Sequence, residues 1–369
     1  MSMAIDQARD GEQRRWQMVR LLLALNLVAF VATYASTQWD LAEHFKGAVD
    51  RFWYPPHFGI YFGLLVAALI PLAGLLLLLR APGLPFDKLR ANPALVLVIV
   101  ANGSSFMGAP FDAWWHNTFG IDLTVWSPPH LHLLFSMVLA VLSCAVYFLD
   151  DRPAGAGAQP FPAVDRRVVV LVFTLTMALL LGALLFTEYE IGAQGRDVRA
   201  RALWTYPVTW SFFALFMLSL LTSSTRSIGM ATVVTLGYLV VRWLTIGLDR
   251  AILDFRGFQA YPLVIPALAF DLVLAYLAAR WTDRRWLTIG SAGLVATVVL
   301  AVTTPLFWRA LDIAPQLNVE PWATYWPIAL GSGMLGVAAG WALGAGLRRL
   351  RPSAQVDSSV SFEQPALVH

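Results

Sequence analysis

Apolar residues along this chain gather into ten runs, each long enough to cross a bilayer as a helix, with polar stretches between them. The runs lie near residues 17–37, 57–80, 92–111, 129–149, 167–188, 205–223, 227–247, 260–280, 286–307 and 323–347. This pattern predicts an all-α integral membrane protein of about ten transmembrane helices. Every even-numbered run opens on an aromatic residue and proline: Trp53-Tyr54-Pro55-Pro56, Trp126-Ser127-Pro128-Pro129, Trp204-Thr205-Tyr206-Pro207, Tyr261-Pro262 and Tyr325-Trp326-Pro327. Proline suits the first turn of a helix, where its missing N–H costs no bond, and Trp and Tyr suit the membrane interface. The runs therefore read as five hairpins, each joined on the same side of the membrane.

The first two hairpins share more than this scaffold. Asp40 and His44 lie 72 residues before Asp112 and His116, and Pro56 and His57 lie 73 before Pro129 and His130. Matching residue types at a near-constant offset indicate an internal repeat running in one direction. The stretch 151–162, rich in Ala, Gly and Pro, is the expected inner linker. It separates a His-bearing part (1–150) from a six-helix scaffold (163–351), and the polar tail 352–369 is expected to be disordered.

Composition agrees with the hydropathy pattern, with 58% apolar and 13% charged residues. Basic residues set the orientation. Arg14, Arg15 and Arg20 precede or open the first run. Arg80, Lys88 and Arg90, then Arg152, Arg166 and Arg167, then Arg226, then Arg280, Arg284 and Arg285 occupy the even-to-odd connections, and Arg348, Arg349 and Arg351 follow the last run. The expectation is an inner-membrane protein of a bacterial type, both termini inside and both His motifs near the outer face. Arg196, Arg199 and Arg201, in the third outer connection, run against it. The first run lacks a small-residue cleavage site and reads as a retained helix. The net charge of +3 follows from the inner loops and calls for no nucleic acid. The single Cys144 excludes an intrachain disulfide.

Five of the six histidines fall in the repeated motif: Asp40, His44 and His57, then Asp112, His116, His130 and His132. Asp-x-x-x-His places two ligand groups one turn apart on one helix face. Two imidazoles and a carboxylate form a first shell for a transition metal with open positions. The first pair sits near Glu43, Lys46, Asp50 and Arg51 and reads as a solvated loop, whereas Phe111, Trp114, Trp115 and Phe119 surround the second. His57 and His130 follow Pro-Pro, where a stiff backbone holds an imidazole at a set depth. His132, two residues beyond His130, points roughly 200° away around the helix, so its place is a bridge, a supporting contact or a separate bond. Glu188 and Glu190 read as partners of the nearby arginines, and Asp271 with Arg242 as an intramembrane ion pair. The glycines from Gly331 to Gly346 have the spacing of helix packing. Nucleophile-elbow, HExxH, P-loop and dinucleotide fingerprints are absent from the sequence.

The second motif, Asp112-Ala113-Trp114-Trp115-His116 with Pro128-Pro129-His130, resembles the membrane C subunit of copper membrane monooxygenases, the particulate methane and ammonia monooxygenases. That family carries Asp-Ala-x-Trp-His followed by Pro-x-His, and the likeness covers only the motif. The second copy has one extra residue between its histidines. The first has the family-like spacing but lacks the Ala and Trp. The resemblance implies copper held by Asp112, His116 and His130 near the outer face, and oxidation of a small, apolar substrate with dioxygen, by this chain alone or with other membrane subunits. Iron is the alternative by ligand count, and zinc fits the same donors. The rival expectations are a metal-transport or metal-handling protein, a haem-b electron-transfer subunit using His57 and His130, and a structural subunit whose histidines only bond neighbours.

Overall fold

The computed structural model describes residues 2–47, 51–120, 124–150, 159–187, 205–257, 259–280, 285–310 and 319–352. Among them the chain is all-helical: α1 (Ser2–Phe45), α2 (Pro55–Leu79), α3 (Pro85–Ala91), α4 (Pro93–Phe119), α5 (Pro128–Ala145), α6 (Arg166–Ala183), α7 (Thr205–Thr225), α8 (Met230–Ile252), α9 (Val264–Ala278), α10 (Arg285–Ala310) and α11 (Val319–Arg349). Nine of these helices are long and apolar enough to cross a membrane, consistent with an integral membrane protein. The run expected at 260–280 contains α9, only 15 residues long. At 1.5 Å per residue it spans roughly 22 Å, short of a full hydrocarbon core. Pro262 belongs to the segment before α9, which starts at Val264.

The elements that carry the histidine motifs start and stop where local chemistry dictates. α2 and α5 each begin with a proline pair after an extended residue, Tyr54 or Ser127. Proline's fixed φ is preset for that first turn. α4 ends at Gly120, whose φ of 89° is a conformation that other residues rarely adopt. α1 does not end near residue 37. It continues to Phe45, so Asp40 and His44 sit on a helix and not in the expected solvated loop. The helical Asp-x-x-x-His register survives because nothing in 38–45 breaks it: no proline or glycine intervenes.

α1 packs along α2 and α4 along α5, with α2 also against α4. α6 lies against α5 and α8, while α7's main neighbour is α11. That last contact is very close. A Cβ on Gly336, Gly340 or Gly344 would run into the backbone or side chains of Phe212, Phe216, Leu220 and Ser223, so small residues allow the two backbones to touch. α3 was not anticipated. It brings Lys88 Nζ to within 2.9 Å of the Leu79 carbonyl, placing a cation at the C-terminal end of α2. Part of the inner linker (151–158), the tail from 353, Glu188, Glu190, Arg196, Arg199, Arg201 and Trp204 lie outside the described residues.

Candidate metal centre

The last two turns of α1 and the first turn of α2 bring Asp40, His44 and His57 together. His44 Nε2 lies 3.3 Å from Asp40 Oδ1, and His57 Nε2 lies 3.1 Å from the same oxygen. The second hairpin repeats this arrangement. His116 Nε2 is 3.3 Å and His130 Nε2 is 3.2 Å from Asp112 Oδ1. The two imidazole rings of each cluster stand 6.2 Å apart between centroids in both copies. Sequence repeat and spatial repeat thus coincide.

Each cluster offers one oxygen and two nitrogens, all within 4.8 Å of one another. The orientation of the rings is set from behind. His57 Nδ1 faces the Phe52 carbonyl at 3.3 Å, His130 Nδ1 the Thr124 carbonyl at 2.7 Å, and His116 Nδ1 the Gly120 carbonyl at 3.4 Å. A carbonyl only accepts, so these contacts are hydrogen bonds in the tautomer that carries its proton on Nδ1, and the Tyr61 hydroxyl lies 3.4 Å from His57 Nδ1 as well. In the neutral ring Nε2 then turns its lone pair toward the carboxylate. Lone pairs facing a carboxylate oxygen repel unless a cation lies among them, either a proton or a metal. Asp40 Oδ1 and Asp112 Oδ1 are buried and make no hydrogen bond of regular geometry, despite the two nitrogens near each. Three donors bound at about 2.0–2.2 Å to one tetrahedral ion would themselves be roughly 3.3 Å apart, and the N···O distances match that spacing. A backbone carbonyl behind the ligating imidazole is the usual arrangement in metal sites. The donor sets therefore fit a borderline or oxygen-tolerant transition metal.

Both clusters open on one cavity of about 90 Å³. Asp40, His44 and His57 line it from one hairpin, Asp112 and His130 from the other. The rest of its wall is mostly apolar, with Ile60, Leu64, Leu134 and Met137 among the lining residues and Thr37 and Tyr61 as polar exceptions. Val125 and Leu184 complete it, so the segment after α6 also contributes. The Trp126 indole donates to the Leu185 carbonyl at 2.8 Å and holds that segment in place. No sequence signal marked Leu184, because an apolar residue in an apolar run carries no address. The first cluster is the more enclosed, reversing the expectation from its polar flanks: the His57 side chain is 9% exposed and that of His130 29%. Around it, Glu43 pairs with Lys46 and accepts from the Tyr54 hydroxyl at 3.3 Å.

Three expectations need correction or completion. His132 joins neither cluster. Its Nε2 faces the Ser104 carbonyl at 3.0 Å and hydroxyl at 3.2 Å, a result of the helical rotation that separates it from His130. Asp271 and Arg242 do not pair. Asp271 Oδ2 accepts from the backbone N–H of Thr232 at 2.8 Å and its hydroxyl at 2.6 Å, so it caps the start of α8 from a neighbouring helix. Arg242 instead donates from Nε to the Gln259 carbonyl at 2.9 Å and from Nη1 to Gln38 Oε1 at 2.9 Å. Thr232 lies in the first turn of α8 and Arg242 near its middle, ten residues on, so a carboxylate placed beside the first does not reach the second. Cys144 is buried, and the Asn26 amide lies 3.8 Å from its sulfur. Comparison with known proteins found no family model, no curated protein and no solved structure that matches this chain.

Proposed function

We propose that each Asp-His-His cluster holds one metal ion and that the chain is a metal-dependent membrane oxygenase, or the metal-bearing subunit of one, acting on a small apolar substrate. The observation that carries this reading is the donor geometry. In each cluster two Nε2 atoms converge on one buried carboxylate oxygen at 3.1–3.3 Å, with Nδ1 of three of the four rings turned to a backbone carbonyl. The six donor groups form two separate clusters, five of the six lining a shared cavity, so we read two ions, one per hairpin. Copper is the first assignment on the motif's resemblance to the copper membrane monooxygenases, with iron next and zinc compatible with the donors.

The chain's own contribution is positional. Asp40 and Asp112 supply negative charge, the imidazoles supply neutral nitrogens, and the Pro-Pro turns before His57 and His130 hold two of those nitrogens at a defined depth. The apolar wall of Ile60, Leu64, Leu134 and Met137 selects an apolar guest and excludes water from it. A bound copper or iron ion with an open coordination position would supply dioxygen activation. The haem alternative is disfavoured by the same geometry, since His57 and His130 each turn Nε2 to a different carboxylate. In the membrane we place both termini inside, the clusters near the outer face and α9 with its neighbouring segments as the tenth crossing, in a five-hairpin plan.

Elemental analysis of the purified full-length protein, with its optical and paramagnetic resonance spectra, tests the proposal. Two equivalents of copper or iron per chain are expected, with no haem absorption. A protein that takes up neither metal when supplied with both would overturn it.

A further inference from the structure

Arg242 is a buried guanidinium, 3% exposed, within an apolar helix, and the metal clusters do not use it. Such a charge is costly in a membrane helix and needs a reason. Its bonds point to one. Nη1 reaches Gln38 Oε1 at 2.9 Å and the Tyr34 hydroxyl at 3.4 Å, both on α1 and both buried. Nε holds the Gln259 carbonyl at 2.9 Å. Tyr34 and Gln38 are one turn apart on one face of α1. Thr37, Asp40, Leu41 and His44 line the metal cavity from the adjoining stripe, with Leu41 one turn beyond Gln38. Arg242 therefore grips the flank of α1 within two turns of Asp40 and His44. This is a charge-assisted attachment. At the end of α1, Lys46 donates to the Leu253 carbonyl at 3.1 Å and Phe45 stacks on Phe255, tying α1 to the segment after α8.

The second hairpin lacks the two acceptors that Arg242 uses. At the offset that aligns the two motifs, Phe106 and Pro110 replace Tyr34 and Gln38, and neither side chain can accept a hydrogen bond. We infer that Arg242 is a positioning residue for the first cluster alone, fixing Asp40 and His44 through Gln38 and Tyr34 and making the two metal sites unequal. The inference rests on the metal reading above for its consequence, but not for the attachment itself.

The test has two readouts on the full-length protein. Hydrogen exchange of the metal-free form reads the attachment. Arg242→Gln and Gln38→Leu should each raise amide exchange over residues 36–45 about tenfold and leave residues 108–117 unchanged. Copper(II) titration then reads the consequence. In an Asp112→Ala background, which retains only the first cluster, Arg242→Gln should weaken copper binding about tenfold and alter the hyperfine pattern of the bound ion. In an Asp40→Ala background it should change neither. Gln38→Leu removes no charge and serves where Arg242→Gln does not fold. Equal responses of both segments, or no response over 36–45, would overturn the inference. Wild-type protein that binds neither copper nor iron, with exchange responding as expected, would overturn the metal proposal and leave the attachment standing.

Discussion

At the scale of single residues, the site depends on a few atoms pointing at one place. Replacing Asp112, His116 or His130 with Ala removes one of three donors and leaves the others facing each other across an uncompensated gap. Each substitution is expected to remove about one metal equivalent per chain while the first cluster keeps its own, as measured by elemental analysis of purified variants. Full occupancy in all three would place the metal elsewhere. The members of each cluster were legible in the sequence because they are a few side-chain types at helical spacing. The atoms that orient them were not, because the carbonyls of Phe52, Gly120 and Thr124 belong to the backbone and carry no side-chain signature. His132 shows the converse: its residue type is that of a ligand, but helix rotation sends it to Ser104.

At the scale of elements, two contacts invite measurement. Gly340 sits where any Cβ would press on the Phe216 backbone, so Gly340→Ala must push α11 away from α7. A loss of roughly 1–3 kcal/mol is expected from such overpacking, read as a lower midpoint in a detergent unfolding titration. An unchanged midpoint would mean the helices separate without cost. Asp271→Ala removes the acceptor for the Thr232 N–H at the start of α8, with an expected loss of about 1 kcal/mol by the same assay. Asp271→Asn, which keeps an acceptor oxygen, should recover part of it. The glycine stripe was readable as packing from its four-residue spacing. The cap was not, since its donor and acceptor are 39 residues apart and lie on different helices.

At the scale of the whole molecule, both clusters line one cavity because two hairpins of the same direction pack side by side, α2 against α4. Parallel repeats place equivalent residues at equivalent depth, so the proposed membrane arrangement puts both clusters on one side. Single cysteines introduced by Lys46→Cys and Thr118→Cys, in a Cys144→Ser background, both lie at exposed positions. Both are expected to react with an impermeant thiol reagent added outside intact cells. Protection of both would reverse the orientation, and opposite behaviour of the two would break the parallel repeat. The six-helix part, which carries no described histidine, is more than scaffold: it supplies Leu184 to the cavity and Arg242 to the flank of α1.

The chain alone determined the helical class, the membrane-length runs, the repeat and the two Asp-His-His sets, since each is a property of residue types at short, regular spacing. The tertiary structure decided what depends on distant segments meeting. It extended α1 through Asp40 and His44, turned the Nε2 atoms toward their carboxylates, and made the first cluster the more enclosed. It also separated Arg242 from Asp271 and gave each a different partner. Periodicity specifies which face of a helix is apolar, but which helix covers that face is settled only when all the faces compete for burial at once.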